Sequence, residues 1–170
     1  MTLSALTQAS PRVRHSVGAM LILLLALTGC GKQAAPNVSF TDLKGNKISL
    51  EQLKGKVVMV NFWATSCGTC MAEMPDMIKT YEKYHSQGLE YVAVAMSYDP
   101  PNYVVNFSET RQLPFNVALD VDGKLAKSFG SVNMTPTTFV IDKQGNIIKK
   151  YVGAPEFYEL HRLLEAQIGA

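Results

Sequence analysis

Two cysteines separated by two residues, Cys67-Gly68-Thr69-Cys70, stand where one backbone pattern stops and another begins. Before them, Val57 to Phe62 is an apolar, β-branched run interrupted only by Asn61, the pattern of a strand buried on both faces. After them, Met74, Met77, Ile78, Tyr81 and Tyr84 recur at the i, i+3, i+4, i+7 spacing of an amphipathic helix. That order predicts a strand, a tight turn and a helix from near Cys67 to about His85, with Pro75 kinking it. A thiol at a helix N-terminus meets the positive end of the dipole and unpaired N–H groups, which favour the thiolate. Cys67 is therefore the candidate nucleophile. Cys70, one helical turn on, lies within disulfide reach, so reversible thiol-disulfide exchange is the chemistry natural to the pair.

The rest of the chain is read around this turn. With 170 residues, 47% of them hydrophobic, it can bury one ordinary core, which predicts a single domain. Arg12 and Arg14 lie in an N-terminal segment without acidic residues; from residue 30 onward 14 basic residues balance 14 acidic ones. That balance, with scattered lysines, gives no basic patch for nucleic acid. Residues 1–29 read as a signal peptide: the two arginines precede an apolar run from Val17 to Leu27, 11 residues long. A membrane-spanning helix needs about 20 apolar residues, so this run is too short for one. Leu27-Thr28-Gly29-Cys30 resembles the bacterial lipobox, in which the cysteine becomes an acylated N-terminus. This predicts an exported protein, anchored in a bacterial membrane through a lipid on Cys30 and facing the periplasm or extracytoplasmic side. Gly31 supplies no aspartate-type inner-membrane retention signal, which leans towards an outer membrane in a Gram-negative cell. The alternative is an ordinary export signal with Cys30 an incidental thiol. With Cys30 acylated, three cysteines reduce to one isolated pair, which is catalytic in character and no disulfide framework.

Residues 30–37 read as a small, polar, lipidated tether, and 38–170 as the folded domain. Val38–Thr41 and Lys47–Leu50 flank a Gly45-Asn46 turn and predict an N-terminal β-hairpin. Leu89–Met96 is a second buried strand, making a βαβ unit with Val57–Phe62. A helix ending near Gln112, a short strand from Phe115 to Leu119 and a short helix from Lys124 to Phe129 follow. Asp120-Val121-Asp122-Gly123 reads as a turn, since calcium-ligand spacing does not continue past it. A hairpin of Thr137–Ile141 with Ile147–Val152 and a terminal helix opened by Pro155 complete the chain. His85 and His161 read as surface histidines, and Met71, Met74, Met77 and Met96 as adaptable packing.

This order resembles the thioredoxin fold, an α/β class with a central mixed β-sheet flanked by helices, here with an added N-terminal hairpin. Phe62-Trp63-Ala64 before the cysteines, Pro75 five residues after Cys70, and Met134-Thr135-Pro136-Thr137-Thr138-Phe139 carry the likeness. The hairpin, the Cys70-x-x-Glu73-x-Pro75 spacing, the long segment from Tyr98 to Leu119 and the lipobox are similar to the TlpA/ResA-like branch of membrane-tethered, extracytoplasmic thiol-disulfide oxidoreductases. The resemblance covers about residues 38 to 168. It implies a cis Pro136 lying against the disulfide, with Thr135 presenting backbone groups to an extended substrate; Trp63 reads as a substrate-binding wall of the site or as an ordinary packed aromatic. It also implies disulfide-bearing client proteins, apocytochrome c among the possible ones, and a transmembrane reductant as electron donor. No cofactor is called for, and no further ligands near the pair suggest a metal.

The departures are specific. Thr69 stands where many thioredoxins have proline, Ser66 where a second tryptophan is common, and Asn61 where thioredoxin itself has a buried aspartate. Asparagine takes no proton, so Glu73, three residues beyond Cys70 on the same helix face, is the candidate to tune the thiols and relay the Cys70 proton. Competing functions are disulfide donation on the same fold and copper delivery, which resembles Cys-x-x-x-Cys with a distant histidine. A peroxiredoxin motif, Pro-x-x-x-Thr/Ser-x-x-Cys, finds Val60 and Ala64 before Cys67, and Trp63 and Cys67 before Cys70.

Overall fold

The computed structural model describes residues 33–170; the predicted signal segment and Cys30 lie outside the described residues. Its centre is β4, Val57–Trp63, buried at all seven positions. Because side chains alternate along a strand, such a strand needs a core on each side. Val57, Met59 and Trp63 enter one cluster, and Val58, Val60 and Phe62 the other.

The first cluster is roofed by three helices: α1 (Gly68–Tyr84), α2 (Pro101–Thr110) and α4 (Phe157–Ile168). They supply Met74, Met77, Tyr81 and Tyr84, then Val104, then Leu160 and Leu164. The second cluster is closed by α3 (Lys124–Ser128) and by the predicted hairpin, formed by β2 (Ser39–Thr41) and β3 (Lys47–Ser49). Phe40 and Leu50 reach it from the hairpin side, and edge-to-face contacts of Phe62 with Phe129 and Phe139 fill its middle.

With a two-residue strand β1 (Gln33–Ala34) at one edge, the sheet order is β1-β8-β7-β4-β5-β6. β5 (Leu89–Ala95) lies parallel to β4, and β6 (Asn116–Leu119) parallel to β5. β7 (Thr137–Ile141) and β8 (Asn146–Val152) run antiparallel on the other side. This is the expected mixed sheet with flanking helices and an added hairpin. The two hairpin turns share one device: in Asp42-x-x-Gly45-Asn46 and Asp142-x-x-Gly145-Asn146 the aspartate accepts from the backbone N–H two and four residues on. Both glycines adopt φ +86°, a conformation side chains rarely take.

Several local readings are refined. Gln33 and Ala34, expected in a patternless tether, form β1 and pair with Ile147 and Asn146 of β8. An open strand edge offers unpaired backbone groups to any nearby chain, which composition alone does not signal. The span of α1 continues through Pro75 and ends in a single turn of 3₁₀-helix, His85–Gln87. Asp120 is a buried cap, accepting from the N–H groups of Leu125 and Ala126 at 2.9 and 2.8 Å. His161, expected at the surface, is half-buried between α1 and α4. The Thr80 hydroxyl donates to Asp76 O, so it accepts from His161 Nε2 at 2.9 Å.

Leu160 is fully buried where α4 closes the first cluster. Leu160→Ala should lower the unfolding free energy by about 2–5 kcal/mol, read as a lower denaturant midpoint with unchanged slope.

Candidate active site

Strand β4 ends at Trp63, and α1 begins at Gly68, so only four residues make the turn. Cys67 occupies the N-cap of α1 in an extended conformation (φ −88°, ψ 106°), and its sulfur accepts from the N–H of Cys70 at 3.1 Å. The capping group here is therefore a sulfur, held where the helix N–H groups and dipole favour negative charge. The pair forms a disulfide with Cα atoms 5.2 Å apart, inside the usual range. The two sulfurs are not equivalent: Cys70 is fully buried, whereas Cys67 retains partial exposure.

Beneath the pair lies a buried polar cluster assembled by register. Asn61 has the same strand phase as Met59 and Trp63 and is opposite Thr138 of β7. Its side-chain NH₂ donates to Thr138 Oγ1 at 2.9 Å and to Glu73 Oε1 at 3.3 Å. Glu73 is only 4% exposed, and its second oxygen has no hydrogen-bond partner among the described residues. Desolvation pushes its carboxyl up from 4.5 to about 7, and the Asn61 bond opposes this only in part. Burial, followed by the charge of Glu73, drives the Tyr91 phenol well above its usual range. Sequence reasoning found Asn61 and Glu73. It missed Thr138 and Tyr91, whose only signal is strand register.

One further loop is tied to the turn, and a second is tied to that loop. The buried Asp99 carboxylate accepts from both the N–H and the hydroxyl of Thr65, each at 2.6 Å, clamping the turn to the segment after β5. Next to it, Tyr98 is 58% exposed, and its hydroxyl shares a 3.2 Å hydrogen bond with that of Thr135. The Thr135–Pro136 peptide is cis, with Pro136 buried and Thr135 half-exposed. Pro136 O accepts from Gly153 N at 2.8 Å, linking this loop to the end of β8. Nothing in the local sequence pattern pointed to Tyr98 or Asp99 as site residues. Trp63 requires a correction: of its two readings, a substrate-binding wall and an ordinary packed aromatic, the second holds, since it is fully buried against Phe107, ring centroids 5.4 Å apart. It anchors the end of β4 and offers no surface to a client.

A strand-to-helix Cys-x-x-Cys disulfide with one partly exposed cysteine, a cis-proline loop and a buried carboxyl is built for dithiol-disulfide exchange. The Redoxin family profile matches residues 31–164. The chain is 40% identical over 135 residues to the thiol-disulfide oxidoreductase ResA of Bacillus thuringiensis, covering 79% of this chain and 76% of the relative. It is 36% identical over 149 residues to ResA of Bacillus subtilis, covering 80% and 82%. The solution structure of a putative thioredoxin from Neisseria meningitidis superposes with TM-score 0.75 at 37% identity, over 81% of this chain and 91% of that one. The chain belongs to the Redoxin family and is a thiol-disulfide oxidoreductase of the ResA type, acting on the thiols and disulfides of client proteins.

The raised carboxyl of Glu73 has a consequence for stability. Its folded value lies above the unfolded 4.5, so the folded protein holds more protons than the unfolded chain between pH 4.5 and about 7. Stability from this group is full below that window and falls as pH rises through it. Denaturant unfolding of the oxidised protein should show that fall, and Glu73→Gln should flatten it.

Proposed function

We propose that this enzyme reduces client disulfides outside the cytoplasm, held at a membrane by a lipid on Cys30. In this reading Cys67 attacks, Cys70 resolves, and Glu73 moves the Cys70 proton. The observation that carries the assignment of roles is the unequal exposure of the two sulfurs: a client sulfur can be approached only at Cys67. The reducing direction rests on the likeness to the TlpA/ResA-like branch. The anchor and location rest on the basic, apolar and Leu27-Thr28-Gly29-Cys30 pattern.

The Cys67 thiolate attacks one sulfur of the client disulfide, a Cys67–client bond forms, and the other client sulfur leaves as a thiolate and takes up a proton. Cys70 gives its proton towards Glu73 and attacks Cys67 Sγ. The Cys67–Cys70 bond forms, and the second client sulfur leaves and is protonated. Two electrons pass from the protein to the client, and a membrane dithiol donor returns them. Glu73 suits the relay because its pKa of about 7 lets it hold or release a proton near neutrality. Thr135, beside the cis bond, presents its backbone to the client segment.

Reduced Cys70→Ser protein should trap clients as mixed disulfides on Cys67, identified by mass spectrometry, while Cys67→Ser traps none. An absence of trapped clients together with tight stoichiometric copper binding by the reduced protein would sink the reductase reading in favour of copper delivery. Trapping only of reduced clients by the oxidised enzyme would make it a disulfide donor. Glu73→Gln should slow resolution at neutral pH by about a hundredfold and remove an inflection near pH 7 from its pH profile. An unchanged profile would remove Glu73 from the mechanism.

A further inference from the structure

The segments that flank the disulfide in sequence or by strand register carry no exposed formal charge. Residues 63–72, 131–138 and 152–155 contain no charged side chain, and residues 96–107 contain only Asp99, which is buried. From this neutral rim an apolar trough leads away between α1 and α2. Its floor on α1 is Met71, Met74, Pro75 and Ile78, positions that share one helix face starting directly after Cys70. Its opposite wall is Phe107 and Arg111, and it encloses about 310 Å³. Phe107 and Arg111 also line a second hollow of about 430 Å³, whose other residues include Thr65, two residues before Cys67, and the exposed Tyr103.

Arg111 is the one cation in this lining. It caps the C-terminal end of α2, is exposed, and its guanidinium stands 5.8 Å from the Phe107 ring centroid. None of the ion pairs among the described residues involves it. We infer that this trough is a docking site for a client segment that carries a large apolar side chain and a carboxylate near the reacting cysteine. The inference rests on exchange at Cys67 and adds which clients are preferred. The helical rise places Ile78 about 12 Å along α1 from Cys70. An extended chain covers that distance in about four residues, which sets the carboxylate within about four residues of the client cysteine. Methionine side chains make the apolar wall adaptable, so shape is recognised loosely and charge sets the preference. A lysine at the same place meets Arg111 and is repelled.

The test uses the full-length, reduced enzyme and peptides whose single cysteine is joined by a disulfide to mercaptoethanol. Each peptide has phenylalanine two residues and either glutamate or lysine four residues from the cysteine, with both placements on each side. Cys67 attacks, mercaptoethanol leaves, and Cys70 then frees the peptide thiol. For the placement that fits, the glutamate peptide should react about threefold faster than the lysine peptide at low salt, the scale of an exposed ion pair. Replacing phenylalanine by serine should slow it by about tenfold. Arg111→Glu should reverse the charge preference and leave reduction of neutral bis(hydroxyethyl) disulfide unchanged. Equal rates for both charges in every placement, or an equal change of both in Arg111→Glu, overturns the docking inference. A dimer in solution that Arg111→Glu dissociates also overturns it, since the trough would then be covered by a second copy. Failure to reduce bis(hydroxyethyl) disulfide at all would instead overturn the reductase reading.

Discussion

The chemistry of this molecule depends on a strand with no solvent face. All seven residues of β4 are buried, so its two side-chain phases must each meet a complete core. That requirement leaves one polar position, Asn61, and its phase turns it towards α1 and away from the Phe62, Phe129 and Phe139 cluster. A register slip of one residue would reverse every side chain and put an amide among those rings. The same burial forces the chain to leave the sheet at Trp63, and the turn it makes there delivers Cys67 to the helix N-terminus. Core packing and redox placement are thus one constraint.

Desolvation then sets the electrostatics under the cysteines. With asparagine at position 61 the cluster has a single carboxyl, and one 3.3 Å amide bond stabilises its charge too little to offset burial. A second carboxylate at position 61 would have competed with Glu73 for one proton. The neutral amide instead leaves Glu73 to titrate alone near 7, beside a tyrosine whose ionisation it opposes. The loops above are held by different means: the Asp99–Thr65 clamp and the Tyr98–Thr135 hydroxyl contact tie together three segments far apart in the chain. They keep a neutral surface around the exposed sulfur while spending no exposed charge on it. Selectivity by charge then falls to the edge of that surface, where Arg111 stands.

Much of the fold was legible because its signals are local. The apolar run before the cysteines, the helical stripe after them, the two Asp-x-x-Gly-Asn turns and the apolar face of α4 each appear within a window of a few to a dozen residues. Glu73 was legible for the same reason, lying one helical turn from Cys70. The failures were those of long-range contact. Trp63 sits in the motif, but its exposure depends on Phe107, 44 positions later, which covers it. Thr138 and Tyr91 enter the cluster only through strand pairing, and Gln33–Ala34 becomes a strand only because the edge of β8 is there to receive it.

Residue order alone was enough to specify a strand, a tight turn and a helix carrying two cysteines at disulfide spacing, since those depend on periodicity and on the reach of a few bonds. Tertiary packing decided which sulfur stays accessible, that Glu73 loses its water, and that a trough walled by Phe107 and Arg111 opens beside the pair. The physical reason is that solvation belongs to everything packed around a group. Spacing along the chain says where a side chain starts, and only the assembled cores say how much water it keeps.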